Sequence, residues 1–190
     1  MNKRKIIIGI VGEISSGKTT LTNYLKTKYQ ADSARFSDCL RDILTRMHLP
    51  QTRENMQDIS KALRQQFGQE IISKIITKDI SGKKSNLVIT EGIRRPKDTS
   101  FLKKTYPDNF YIIFIKTNNR SRYERLTQRS ENPDDQTKTW EQFQAECQRE
   151  AENEILDIAK QADYVITNND SQQDLFTQAD EIIKKIQYAN

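Results

Sequence analysis

The sequence is poor in the residues from which metal centres and covalent crosslinks are built. Its 190 residues include two cysteines and one histidine. Cys39 and Cys147 have no CxxC or CxxxH neighbours, so their spacing predicts ordinary thiols rather than a disulfide framework or a zinc site. With His48 as the single histidine, a His-dependent catalytic triad and a multi-histidine metal site are both excluded.

Long apolar runs and one-sided charge blocks are lacking as well. No run approaches the ~20 apolar residues that cross a bilayer, and no basic leader precedes a cleavable apolar stretch. We therefore expect a cytoplasmic protein without membrane contact. The net charge of +5 suits anionic ligands, but Lys and Arg are interleaved with acidic and amide residues. This distribution does not favour a nucleic acid as the partner.

Segments typical of buried strands alternate with segments of helical period. Apolar runs predict strands at residues 5–12, 33–37, 86–92, 110–117 and 163–168. Between them lie two apolar stripes at helical spacing, one made by Met56, Ile59, Leu63, Phe67, Ile71 and Ile75, the other by Trp140, Phe143, Cys147, Ala151, Ile155 and Ile158. We expect a single α/β domain with a mainly parallel sheet between two helical layers and both stripes in its core.

The segment "GEISSGKT" carries the strongest chemical signal. It fits G-x-x-x-x-G-K-[ST] and lies between a predicted strand and a predicted helix. Glycines let backbone N–H groups turn around phosphates, and the following helix directs its positive end at them. Lys18 would reach the phosphates and Thr19 would offer its hydroxyl to Mg²⁺. The segment thus predicts an ATP and Mg²⁺ site made by Gly12, Glu13, Ile14, Ser15, Ser16, Gly17, Lys18, Thr19 and Thr20.

Five further segments, taken together with this P-loop, resemble the nucleoside monophosphate kinase superfamily. They are "RFSDCLR" (35–41), "TRENMQDISKALRQQFG" (52–68), "VITEGIRRP" (88–96), "RSRYERLTQR" (120–129) and "ADYVITNNDSQQDL" (162–175). The resemblance runs nearly end to end and is strongest to the deoxynucleoside monophosphate kinase and dephospho-CoA kinase-like branch. It implies a three-layer P-loop kinase fold with strand order 2-3-1-4-5. It also implies an acceptor-binding helical region at about 38–80 and a lid at about 119–140.

The resemblance assigns acceptor and metal roles to residues outside the P-loop. Asp38 would position the acceptor, or take its proton if the acceptor is an alcohol; the alternative is a helix N-cap or first-turn acid. Glu91, after an apolar strand, would help to hold Mg²⁺. Arginines suited to a monophosphate are Arg41, Arg64 and Arg94, with Arg53 the weakest candidate and a solvated face the alternative for each.

Two further segments are expected to contact ATP. Arg122, Arg125 and Arg129 are spaced to share one helix face. By resemblance, Arg125 and Arg129 close over the ATP phosphates, whereas a solvated basic face is the alternative. In the last segment, Asn168 or Asn169 would contact the adenine, unless "TNND" is only a turn.

The sequence thus predicts an ATP- and Mg²⁺-dependent phosphotransferase acting on a nucleotide-like acceptor, as a monomer or homodimer. A nucleoside or deoxynucleoside monophosphate is favoured, because three arginine candidates surround one pocket and "RFSDCLR" replaces the DxD typical of dephospho-CoA kinase. Dephospho-CoA kinase is the enzymatic alternative, and a regulatory or nucleic-acid-associated P-loop ATPase is the alternative of another class. A GTPase is disfavoured because the guanine-reading [NT]KxD motif is missing.

Overall fold

The computed structural model describes residues 5–129, 135–148 and 150–188, and its centre is a five-stranded sheet. The strands are β1 (Ile6–Val11), β2 (Asp32–Arg35), β3 (Leu87–Glu91), β4 (Phe110–Lys116) and β5 (Tyr164–Thr167). All neighbouring strands are parallel, in the order β2-β3-β1-β4-β5. β1 is central, and its side chains are buried on both faces, which explains its unbroken apolar run. The predicted fold class and strand order are confirmed.

Helices cover both faces of the sheet. They are α1 (Lys18–Tyr29), α2 (Asp38–Arg46), α3 (Arg53–Phe67), α4 (Ile71–Gly82), α5 (Pro96–Thr105), α6 (Asn119–Gln128), α7 (Trp140–Cys147), α8 (Glu150–Ala159) and α9 (Gln172–Tyr188). One apolar layer packs α1 and α9 against the sheet, and the other packs α4, α5 and α8 against the opposite face. A short 3₁₀ turn, Asp135–Thr137, precedes α7.

The first predicted stripe is divided between two helices. α3 ends at Phe67, Gly68 follows with φ at 92°, and α4 begins at Ile71. Since the chain turns at Gly68, the end of α3 projects from the core, and Phe67 is 62% exposed. The prediction that Phe67 is a core residue was therefore wrong, whereas Met56 and Leu63 do pack against the core.

The second predicted stripe is likewise divided, between α7 and α8. Phe143, Ile155 and Ile158 are buried, as predicted, and Cys147 is half-buried. The side chain of Ala151 lies outside the description.

The parallel sheet brings the carboxyl ends of its strands to one edge. In such folds, the loops at this edge are where ligands bind. The P-loop follows β1, "RFSD" spans the end of β2, Arg94 follows β3, α6 follows β4 and Asn168 follows β5. In the described ranges, no helix is both long and apolar enough to cross a membrane.

Candidate active site

The P-loop conformation depends on close approaches at its two glycines. A Cβ at Gly17, where φ is 101°, would lie 2.4 Å from Asn168 Nδ2. At Gly12, a Cβ would lie 2.4 Å from Ser16 Oγ. Ser15 also has a positive φ, at 58°, so the backbone turns tightly before α1. α1 begins at Lys18 with no acidic residue in its first turn, which leaves the positive end of the helix directed at the loop.

The side chain of Lys18 hydrogen-bonds back to the start of this loop. Its Nζ donates to the carbonyl oxygens of Gly12, at 2.7 Å, and Glu13, at 2.8 Å. Within the described residues, the hydroxyls of Ser15 and Ser16 are buried without a hydrogen-bond partner. A buried hydroxyl without a partner is costly, and phosphate oxygens accept from such groups. The loop therefore fits the phosphates of a nucleotide.

Side chains that directly follow β4 and β5 hydrogen-bond to the backbone of the P-loop. The carbonyl oxygen of Ser16 accepts from Asn168 Nδ2 at 2.8 Å and from Thr117 Oγ1 at 3.2 Å. Asn169 Oδ1 instead accepts from the backbone N–H of Asn118 at 2.8 Å. The side chain of Asn168 is thus directed at the loop, and contact of this segment with adenine stays a prediction. Sequence reasoning missed this support, since motif spacing carries no signal for contacts so distant in the chain.

The three arginines predicted to share a helix face lie in different surroundings, Arg122 and Arg125 within α6 and Arg129 at its C-cap. Arg122 is 1% exposed and its Nη2 lies 2.8 Å from Glu13 Oε1. Arg125 is half-buried, and its Nη1 is buried with no hydrogen-bond partner among the described residues. Arg129 Nε donates to the fully buried Asp135 at 2.8 Å. Contact of Arg125 and Arg129 with ATP stays a prediction, and residues 130–134 of the predicted lid lie outside the description.

Three of the predicted site residues line one cavity. It has a volume of about 170 Å³ and lies between α1 and the ends of β2 and β3. Thr19, Asp38 and Glu91 share it with Thr22, Asn23, Lys26, Ser33 and Arg35. The hydroxyl of Thr22 is buried there without a hydrogen-bond partner in the described part of the chain. The cavity therefore joins the end of the P-loop to the predicted acceptor side.

Arg35, which sequence reasoning did not single out, contacts both carboxylates of this cavity. Its Nε lies 3.4 Å from Glu91 Oε1, and its backbone N–H donates to Asp38 Oδ2 at 3.2 Å. Glu91 is 5% exposed, so Arg35 partly offsets a buried charge. Asp38 is exposed in the first turn of α2, where its carboxylate also favours the helix.

Thr19 and Glu91 supply oxygen ligands of the kind that Mg²⁺ prefers. No group of three or more His, Cys, Asp or Glu residues suited to a metal ion occurs in the described ranges. A dedicated protein cage is therefore not present there. Mg²⁺ is commonly held by one or two carboxylates together with substrate phosphates, and Thr19 with Glu91 fits that arrangement.

Cys39 lies directly beside Asp38 but is not suited to nucleophilic chemistry. Burial, and next the charge of Asp79, raise the pKa of the Cys39 thiol to about 11. The thiol is therefore neutral near pH 7, and only a thiolate is a strong nucleophile.

Of the arginines predicted to bind the acceptor, Arg64 has a different role in the structure. It is 5% exposed, and its Nη2 donates to Asp98 Oδ2 at 3.0 Å. Ser73 Oγ also donates to Asp98, at 2.6 Å, so this ion pair joins α3, α4 and α5. These contacts give Arg64 a structural role, and its contact with an acceptor stays a prediction.

Arg41 and Arg94 lie closer to the surface. Arg41 is half-buried and donates to Gln51 Oε1 at 3.1 Å, whereas Arg94 is exposed directly after β3. Their contact with an acceptor stays a prediction. The side chain of Arg53 lies outside the description.

Comparison with known proteins agrees with this geometry. A family model described as an AAA domain matches residues 11–144, from the end of β1 into α7. The UPF0200 protein of Methanocaldococcus jannaschii is 31% identical over 183 residues, covering 95% of this chain and 90% of that protein. The chain belongs to the AAA domain family and to the UPF0200 proteins. The UPF0200 protein of Pyrococcus abyssi is 29% identical over 188 residues, covering 97% of this chain and 99% of that protein.

Solved structures share the fold over nearly the whole chain. Shikimate kinase from Bacteroides thetaiotaomicron has a TM-score of 0.63 at 15% identity, with 96% of this chain and 98% of that one covered. Shikimate kinase from Acinetobacter baumannii, in complex with shikimate, has a TM-score of 0.53 at 15% identity, with 98% and 95% covered. At this identity the likeness is one of fold alone. The predicted P-loop kinase fold is confirmed.

Proposed function

We propose that the protein transfers the γ-phosphoryl group of ATP, with Mg²⁺, to a nucleotide-like acceptor, preferably a nucleoside or deoxynucleoside monophosphate. One observation carries the proposal: the P-loop residue Thr19 shares a cavity with the carboxylates Asp38 and Glu91 at the ligand-binding edge of the sheet. A phosphate-binding loop alone suits any ATPase. A polar cavity that opens from the loop toward the end of β2 offers space for a second reactant.

The chain's own residues would contribute position and charge. The P-loop backbone and Lys18 hold the β and γ phosphates, and Arg125 offsets charge on the phosphoryl group in transit. Thr19 and Glu91 are the residues that would hold Mg²⁺, which when bound neutralises phosphate charge. Little covalent chemistry falls to the protein in phosphoryl transfer, so the residues named need only bind and orient.

The acceptor side is assigned to the helical region at about 38–80 and to the loop after β3. Arg94 and Arg41 would bind the acceptor phosphate, and Asp38 would orient the attacking group. If the acceptor is an alcohol, Asp38 would accept its proton. Residues 119–140 would close over ATP as a lid and exclude water from the γ-phosphoryl group.

The experiment is to measure ADP formation from ATP and Mg²⁺ with a panel of acceptors. The panel contains each ribo- and deoxynucleoside monophosphate, dephospho-CoA, and a reaction without acceptor. Strong stimulation by one monophosphate supports the proposal and identifies the substrate. Stimulation by dephospho-CoA alone would make Asp38 a general base for an alcohol. Equal turnover across the panel would contradict an acceptor site and favour a regulatory ATPase.

A further inference from the structure

The second residue of the P-loop is an acid, which is unfavourable beside phosphates. Glu13 follows Gly12, and its backbone oxygen accepts from Lys18 at 2.8 Å. The side chain of Glu13 is 16% exposed, so water screens its charge only in part. A carboxylate in a loop that binds polyanions repels them unless a cation offsets its charge. A cation must therefore offset the charge of Glu13 if the loop is to bind a nucleotide.

Arg122 of α6 supplies a cation at this carboxylate. Arg122 Nη2 lies 2.8 Å from Glu13 Oε1, and the side chain of Arg122 is 1% exposed. A desolvated guanidinium requires charge and hydrogen-bond partners close by. Nη1 lies 3.4 Å from the carbonyl oxygen of Ile14, the next P-loop residue, and Nη2 donates to Asn119 Oδ1 at 2.8 Å. The guanidinium thus contacts two consecutive P-loop residues and its own helix.

The same side chain also reaches α7. Its guanidinium carbon lies 5.3 Å from the centre of the Phe143 ring, and Nη2 lies 3.5 Å from Cys147 Sγ. Phe143 is fully buried and packs against Tyr123 and Trp140 at ring distances of 5.6 Å. Arg122 therefore contacts an aromatic cluster of α6 and α7 as well as the P-loop.

We propose that Arg122 is a positioning residue that neutralises Glu13, and that it thereby sets the affinity of the P-loop for nucleotide phosphates and couples the loop to α6 and α7. The inference rests on the nucleotide-binding part of the proposed function and not on the identity of the acceptor. Lys18 and Arg122 then hold the start of the loop from two sides, one through backbone oxygens and the other through a carboxylate. Thr117 and Asn168 hold its end at Ser16.

A double-mutant cycle at Glu13 and Arg122 tests the charge relation directly. ADP binding in the presence of MgCl₂ is measured by titration calorimetry for the wild type, Arg122→Met, Glu13→Gln and the double variant. We expect Arg122→Met to weaken ADP binding by about tenfold or more, because an acid near the phosphates loses this cation. Glu13→Gln alone should change ADP binding by less than about threefold. Loss of the carboxylate reduces the repulsion of the phosphates, whereas loss of its contact with Arg122 loosens the loop, and the two effects oppose each other. Adding Glu13→Gln to Arg122→Met should recover most of the affinity.

Lys160→Met is the control for the loss of an exposed positive charge. Lys160 pairs with Asp157, but the two side chains are 75% and 56% exposed, so ADP binding should be unchanged. If Arg122→Met does not fold, Arg122→Gln replaces it in the same cycle, because the amide retains hydrogen bonding without the charge.

Equal ADP affinity in the wild type and in Arg122→Met, or no recovery in the double variant, would overturn the inference. A purely structural role predicts that second result, since Glu13→Gln would not repair packing. If the wild type bound ADP but showed no acceptor-stimulated turnover, the proposed phosphotransfer would be contradicted. The inference on Arg122 would still stand if the double-mutant cycle gave the expected recovery, because it rests on nucleotide binding alone.

Discussion

The two sides of the ligand-binding edge are built differently. On the nucleotide side, buried side chains from α6 and from the ends of β4 and β5 hold the P-loop: Arg122 contacts Glu13, and Asn168 contacts Ser16. On the acceptor side, Asp38 and Arg94 are exposed, and Asp38 accepts from the backbone N–H of Arg35, three positions away. The first geometry is fixed by folding. The side chains named on the acceptor side are more exposed, so mutations on the two sides should separate stability from acceptor affinity.

Arg64→Met is expected to have the largest effect, because Arg64 is buried in an ion pair with Asp98. Arg64→Met leaves the buried Asp98 carboxylate without its cation, and breaking such a pair costs roughly 3–5 kcal/mol of unfolding free energy. Urea denaturation measures the loss. A structural role alone leaves the acceptor KM unchanged where the variant is folded, whereas the predicted acceptor contact raises it.

The control for Arg64 removes both charges. Arg64→Met combined with Asp98→Leu should recover much of the stability, since an apolar replacement of a buried pair is often tolerated. If Arg64→Met raised the acceptor KM and left the stability unchanged, Arg64 would act by binding the acceptor and not by holding the helices together.

Lys18→Ala tests the nucleotide side at its centre. Removing one positioned charge from a transition-state site typically costs roughly 10²–10³ in rate, and we expect a loss of this size in ADP formation. Because Lys18 Nζ bonds to the carbonyl oxygens of a loop, the circular dichroism spectrum and the melting temperature should be retained. Turnover near the wild-type rate would show that the loop does not hold the γ-phosphate.

The comparison of the two sides also shows which features of the structure the sequence predicts and which it does not. The strands and the P-loop follow from local signals, namely apolar runs bounded by turns and a motif of fixed spacing, whereas the strand order was implied by the resemblance to known kinases. The chain alone does not reveal which arginine is buried. Arg64 and Arg94 carry similar local signals, yet only the packing of α5 brings Asp98 against Arg64. The same limit hid Arg35 and the support that Asn168 gives to the loop.

Phe67 shows a second limit of sequence patterns. Its spacing continues the apolar stripe of α3, but Gly68 ends the helix with a positive φ and turns the chain away. Helical period predicts which side chains share one face of a helix. It does not predict where along the helix the rest of the protein ceases to cover that face.

Asn168→Ala is expected to have an intermediate effect on the nucleotide side. Loss of a buried hydrogen bond to Ser16 typically costs about 1–3 kcal/mol, and the loosened loop should also bind ADP more weakly. Thermal unfolding and calorimetric titration measure the two effects together. Asn169→Ala is the control, because Asn169 is exposed and accepts from Asn118 rather than from the loop. Equal losses in both variants would contradict a specific role for Asn168.

Arg94→Met should give the smallest change, and it decides whether the acceptor side is correctly placed. A charge-assisted contact to a phosphate is worth about 1.5–3 kcal/mol at most here, and exposure reduces it, so we expect a rise in acceptor KM of about tenfold. The KM for ATP and the unfolding free energy should stay constant, since Arg94 is exposed and α5 begins after it. Arg46→Met, also exposed but at the far end of α2, should leave all three quantities unchanged. If Arg94→Met altered stability but not acceptor KM, Arg94 would belong with the residues fixed by folding, and the division between the two sides would fail at the residue on which it most depends.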